Sequence, residues 1–142
     1  MEYAGSWSTD LEHPPFEKML VGINARAIDF AKFGMLMLKD GLWNAQQLVS
    51  EQWVREATQD EEKPAGYYRQ DADFFADGHY YKYFWWGDRR SAGKSDFHAA
   101  GNRGQYIYIS PEKKVVIVRT GFDYGIATGR WVRLFRQLAD NL

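Results

Sequence analysis

Apolar and polar positions follow two different periods along this chain, and the changes of period mark its elements. From Asn24 onward, Ala27, Phe30, Ala31 and Gly34 recur at helical spacing. This predicts a helix with Asn24 as N-cap, Ile23 and Ile28 as its hydrophobic staple, and a stop at Gly41. A shorter helix is predicted after Ser50, which suits an N-cap; Val49 and Val54 form the staple, and Trp53 and Ala57 share a face. Tyr80 to Trp86 is dense in aromatics and has no breaker before Gly87-Asp88, which predicts a strand. Gly104 to Ile109 and Lys114 to Thr120 predict a hairpin around Ser110-Pro111-Glu112-Lys113, with Pro111 pre-set for the second turn position. The chain closes on a helix with Trp131, Leu134, Phe135, Leu138 and Leu142 on one face and Arg130, Arg133, Arg136 and Gln137 on the other. The expected class is α+β, a three-stranded antiparallel sheet flanked by helices.

Between these elements the periodicity lapses. Met1 to Gly22, with Trp7, Ser8, Thr9 and Pro14-Pro15, suits irregular packed loop. Pro64 to Asp77 mixes Gly, Pro, acids and aromatics without either period, which predicts a surface loop inserted across residues 59–78 of a single domain, 1–142. At 142 residues, 45% hydrophobic and 17% aromatic, the chain is long enough to bury a core. Its 18 Lys+Arg against 19 Asp+Glu leave a net charge of −1, so no basic field exists to attract nucleic acid or anionic lipid. The absence of cysteine excludes thiolate catalysis, disulfides and zinc–thiolate sites. No stretch reads as a signal peptide or membrane span.

The chemistry concentrates at Phe97-His98-Ala99-Ala100-Gly101-Asn102-Arg103-Gly104-Gln105, a glycine-punctuated loop running into a strand. Such a loop can aim backbone N–H groups at a reacting oxygen from a rigid sheet edge. His98 reads as a structural histidine before the strand, since no serine is placed beside it by sequence. Asp71, Asp73, Asp77 and His79 offer metal ligands, but their spacing fits neither a calcium loop nor a zinc pattern, so no metal or cofactor is expected. Aromatics interleaved with Lys82 and Arg89-Arg90 suggest base stacking, yet strand packing accounts for Tyr83, Trp85 and Trp86. Two S-x-x-K strings occur, Ser91-Ala92-Gly93-Lys94 and Ser110-Pro111-Glu112-Lys113. Nucleophilic chemistry needs Ser at the start of a buried helix with Lys one turn on, and neither a polar loop nor a hairpin turn supplies that.

Four blocks, in order and spacing, resemble the C-terminal part of the serine β-lactamase and penicillin-binding-protein superfamily, nearest to class C-like esterases and 6-aminohexanoate-dimer hydrolases. They are Met1-Glu2-Tyr3-Ala4-Gly5-Ser6-Trp7-Ser8, the helix from Asn24 to Gly34, the strand ending Trp85-Trp86-Gly87, and the loop at His98 with its hairpin. The resemblance implies a fragment of the β-lactamase/transpeptidase-like fold and amide or ester hydrolysis through an acyl-enzyme. Of the family's S-x-x-K, Y-x-N and K-T-G motifs, only the third has a counterpart, His98-Ala99-Ala100-Gly101. By that match the backbone N–H of Asn102 is an oxyanion donor, and Gly101, Arg103, Gln105, Trp7 and Asn24 are substrate-binding positions.

For three of these a second role stays open: N-capping for Asn24, pinning a loop for Trp7, and satisfying backbone groups for Gln105. Ala99 and Ala100 stand where the family carries carboxylate-binding side chains, which implies a more neutral ester or amide as the small-molecule partner. The family's nucleophile lies upstream of the matched region, so the chain is expected to be the C-terminal portion of a hydrolase. It should be silent by itself and prone to homodimerise through an open sheet edge. The bacterial cytoplasm and periplasm both remain open. The alternative function is a non-catalytic ligand-binding or protein-interaction domain derived from the same fold.

Overall fold

Two-residue strands β1 (Ser6–Trp7) and β2 (Ile23–Asn24) pair antiparallel and lead into helix α1 (Ala27–Leu38). A second small hairpin follows, β3 (Leu42–Trp43) with β4 (Gln46–Gln47), and then helix α2 (Glu51–Thr58). The main sheet runs in strict sequence order through β5 (His79–Lys82), β6 (Trp85–Arg89), β7 (Ser95–Gly101), β8 (Gln105–Ser110) and β9 (Val115–Arg119), and helix α3 (Thr128–Asp140) ends the chain. The structure is a computed structural model that describes residues 3–18, 21–61, 78–90 and 93–142. The inserted loop predicted across 59–78 therefore lies largely outside the described residues, as do Met1-Glu2, Asp71, Asp73, Asp77 and Ser91.

The class is α+β, but the sheet has five strands where three were expected. Two misreadings account for the difference. Tyr80 to Trp86 is not one strand: the chain reverses at Tyr83 and Phe84, with φ of 44° and 68°, so Lys82 pairs with Trp85. Bulky aromatics are poor left-handed turn formers, which is why no breaker is visible there. The loop through His98 is itself a strand, β7. Its polar start, Ser95-Asp96, hides a burial pattern satisfied by ion pairing.

Alternation along the strands sorts the two faces. Phe97, Ile109 and Trp85 point to one side and pack with Met37 of α1 and Val54 and Ala57 of α2. Tyr106 and Tyr108 point to the other and meet Val132, Phe135 and Ala139 of α3. The sheet is thus sandwiched between α1–α2 and α3. The buried stripe of α3 is rotated from the expected one: Leu134, Leu138 and Leu142 are exposed, because Val132, Phe135 and Ala139 fit between the tyrosines. The cap of α1 also differs. Asn24 is held in β2 opposite Ser6, so the helix starts later, at an Arg26 N-cap without a side-chain bond. In α2 the Ser50 hydroxyl does accept from Trp53 N–H at 3.2 Å, while Trp53 itself is half exposed.

Two glycines set how closely these layers approach. A Cβ on Gly34 would lie 2.6 Å from Val116 Cγ1 and 3.0 Å from Ile107 Cγ2, so α1 sits directly on β8 and β9. Gly87 lies beneath the ring of Tyr80, which is buried and donates its hydroxyl to Thr58 O at 2.6 Å. Gly87→Ala pushes a methyl into that ring, and we expect a loss of about 1–3 kcal/mol. A urea melt checks it, and an unchanged midpoint would contradict the packing described.

On the α3 face, ionic groups flank the apolar packing. Asp96 is fully buried; its Oδ2 accepts from Arg90 Nε at 2.6 Å and from the Tyr108 hydroxyl. Arg90 reaches on to Asp140 of α3 at 2.6 Å, and Arg136 of α3 lies 3.4 Å from Asp88. Burial and the adjacent Asp96 push the Tyr108 hydroxyl well above its usual range. This network ties the C-terminal helix to β6 and β7.

Candidate functional site

The register of β7 creates the site. β6 pairs with β7 only as far as Trp86 opposite His98, whereas β8 pairs with it to Gly101 opposite Gln105. Ala99, Ala100 and Gly101 therefore lie past the last β6–β7 pair, and Ala100 and Gly101 extend beyond β6 itself. The hairpin then closes through Asn102, Arg103 and Gly104, with Arg103 at φ 60° and Gly104 at φ 77°. Glycine takes this conformation freely. Arg103 does not, and the bonds around it compensate.

Those bonds come from three directions. The Asn102 side-chain Oδ1 accepts from the Arg103 N–H at 2.9 Å and from the Tyr124 hydroxyl at 2.6 Å. Gln105 brackets Gly121, donating through Nε2 to its carbonyl and accepting its N–H through Oε1 at 3.1 Å. Arg119 donates to Gly104 O and, at 3.2 Å, to Asp123 O, and its guanidinium lies 4.2 Å from the Trp131 ring centroid. Trp131 in turn donates its indole N–H to Tyr124 O at 2.6 Å. A Cβ on Gly104 or Gly121 would run into the Arg119 guanidinium, so these glycines make room for it.

Beside the turn, a cleft of about 590 Å³ lies between the sheet, β2 and the start of α1. Its walls are mainly apolar, with Ile23, Phe30, Ile107 and Val118 joined by Asn24, Asn102 and Thr120; two cations, Lys18 and Arg119, also line it, and no carboxylate does among the described residues. Such a cavity is large enough for a small molecule. Of the six positions expected from the sequence, the cleft brings together Asn24, Gly101, Asn102 and Gln105. Trp7 does not line it; on β1 its indole donates to Lys18 O at 2.9 Å, and the ring is half exposed. Arg103 sits at the tip of the turn, also outside the lining. Both amide groups of Gln105 are committed to Gly121, so its side chain braces the turn.

Among the described residues, none that lines the cleft is a serine. Ser110 is fully buried at the end of β8, opposite Val115, and Lys113 turns toward Asp140 at 3.8 Å. His98 is buried on the α3 face, against the Tyr106 and Tyr108 rings, and burial lowers its pKa to about 3. Among the described residues no group of three or more His, Asp or Glu is placed to hold a metal, and no helix is long and apolar enough to cross a membrane. Sequence reasoning missed Arg119, Tyr124 and Trp131. The glycine punctuation of Gly121-Phe122-Asp123-Tyr124-Gly125 after a strand was the available signal.

No family model matches the chain, and no curated protein matches it. Among solved structures, one from Bacillus anthracis named a "putative 6-aminohexanoate-dimer hydrolase" is similar, with a TM-score of 0.65 and 26% identity. The match covers 84% of this chain and 30% of that one, so the chain spans about 30% of that relative's length. This likeness supports a fold of the β-lactamase type.

Proposed function

We propose that this region is the oxyanion-hole part of a serine hydrolase that cleaves a neutral amide or ester through an acyl-enzyme, with the nucleophile supplied by polypeptide outside it. The observation that carries this reading is the turn 102–104, braced at the lip of a largely apolar cleft by bonds from Gln105, Arg119 and Tyr124. Acyl transfer needs donors fixed before the charge develops, because a donor that must reorganise stabilises the oxyanion less. The backbone N–H of Asn102 is the proposed donor. The strand end at Ala99–Gly101, past the last β6–β7 pair, offers main-chain groups to an extended acyl portion, and Asn24 lines the opposite wall. Ala99 and Ala100 present no side-chain donor to a substrate carboxylate.

The test has two arms. A fluorophosphonate probe is expected to leave the isolated chain unlabelled, and labelling of Ser91 or Ser110 would sink the proposal that the nucleophile lies elsewhere. In the full-length hydrolase, Asn102→Pro removes the N–H and is expected to lower kcat by about 10²–10³. If kcat holds, the turn is not an oxyanion donor, and a non-catalytic ligand-binding role for the cleft takes its place.

A further inference from the structure

We infer that Tyr124 is a positioning residue for Asn102, acting from outside the cleft through the contact between its hydroxyl and the Asn102 side chain. The inference rests on the reading of Asn102 as oxyanion donor and extends it to a residue that does not line the cavity. Three observations combine. The Tyr124 hydroxyl donates to Asn102 Oδ1 at 2.6 Å, and the same oxygen accepts the N–H of Arg103, the residue held at φ 60°. Tyr124 is itself fixed, since its carbonyl accepts the Trp131 indole N–H at 2.6 Å and the N–H of Ile126 at 2.7 Å. Trp131 belongs to α3 and lies against the Arg119 guanidinium, which also holds Gly104 O.

The line of contact therefore runs from α3 through Tyr124 to Asn102. A left-handed non-glycine residue persists only where its neighbours over-determine it. Here the Asn102 carboxamide does so, and Tyr124 fixes the carboxamide. Without the hydroxyl, Asn102 is free to rotate, the Arg103 N–H loses its partner, and the Asn102–Arg103 peptide is released, which loosens the adjoining Gly101–Asn102 peptide that carries the Asn102 N–H. Tyr124 is half exposed, so the ring adds little to core packing and the hydroxyl can be removed without disturbing the sheet.

Tyr124→Phe tests this. In this chain, amide exchange at Arg103 is expected to speed up by about tenfold, the order of a single lost hydrogen bond. Exchange at Tyr108 and Ile109 in β8 should stay the same. No change at Arg103, or an equal increase at all three, would overturn the inference, because a purely structural residue moves local and global exchange together. In the full-length hydrolase, the same variant is expected to lower kcat for a p-nitrophenyl ester by about tenfold with KM within about twofold, as small misplacements of a catalytic group do. If Asn102→Pro abolishes turnover while Tyr124→Phe leaves kcat untouched, the positioning role alone fails. If Asn102→Pro costs nothing, the oxyanion reading fails and this inference with it. Arg119→Lys, which keeps a cationic donor near Gly104 O, is expected to retain more of kcat than Arg119→Ala, and equal losses would count against the brace.

Discussion

Asp96→Ala is expected to destabilise the domain by about 3–5 kcal/mol, a large fraction of the about 5–15 kcal/mol typical of a folded domain. The carboxylate is fully buried and is the shared acceptor for Arg90 Nε and the Tyr108 hydroxyl. Removing it strands both donors in the interior. Arg90, whose side chain is 7% exposed, keeps as its ion-pair partner among the described residues Asp140, itself 40% exposed and weakened by solvent screening, with the uncharged Tyr108 hydroxyl beside it. The cost comes from leaving a charge uncompensated. It follows that Asp96→Asn, which keeps the shape and one acceptor, should lose less, and that Tyr108→Phe should lose only about 1 kcal/mol. Urea unfolding followed by tryptophan fluorescence measures all three. An Asp96→Ala loss below about 1 kcal/mol would mean that water reaches the site and that α3 is held by its apolar stripe alone.

The second large effect is acid lability from His98. Burial on the α3 face lowers its pKa from 6.5 to about 3. Below pH 6.5 the unfolded chain takes up a proton that the native state refuses, so stability falls as pH drops from 6.5 toward 3. The full cost is on the order of 5 kcal/mol. Asp88 acts in the opposite sense, since burial raises its carboxyl pKa and the native state binds that proton more readily. The clean measurement is therefore a comparison of slopes. His98→Phe, which keeps a ring against Tyr106 and Tyr108, should flatten the stability profile between pH 6 and pH 4. If wild type and variant show the same slope there, His98 is accessible to water and protonates in place.

Much of the architecture is legible in the residues. The Ser50 cap, the hairpin from Gln105 to Arg119 and the presence of the last helix all follow from local chemistry that tertiary structure leaves intact. The misreadings share a different cause, which is that long-range partners override local preference. Tyr83 and Phe84 accept a left-handed turn because the β5–β6 ladder holds its two ends and Trp53 of α2 stacks on Tyr83 at 5.3 Å. Ser95-Asp96 looks like loop, yet Asp96 is buried because Arg90 and Tyr108 meet it there. For the candidate site, the sequence points to the turn at Asn102. It does not point to the brace behind it, because Arg119, Tyr124 and Trp131 converge only once α3 packs against the sheet.

The Arg119 guanidinium occupies the space that side chains at Gly104 and Gly121 would need. Those three positions consequently vary in a fixed order. A side chain at Gly121 is blocked while Arg119 stands, but becomes sterically admissible once Arg119 is shortened, because Gly121 has no left-handed backbone to forbid it. Gly104, at φ 77°, stays closed on either route. Drift at this corner of the molecule therefore runs through position 119 first, and the step that opens it is the one that loosens the turn.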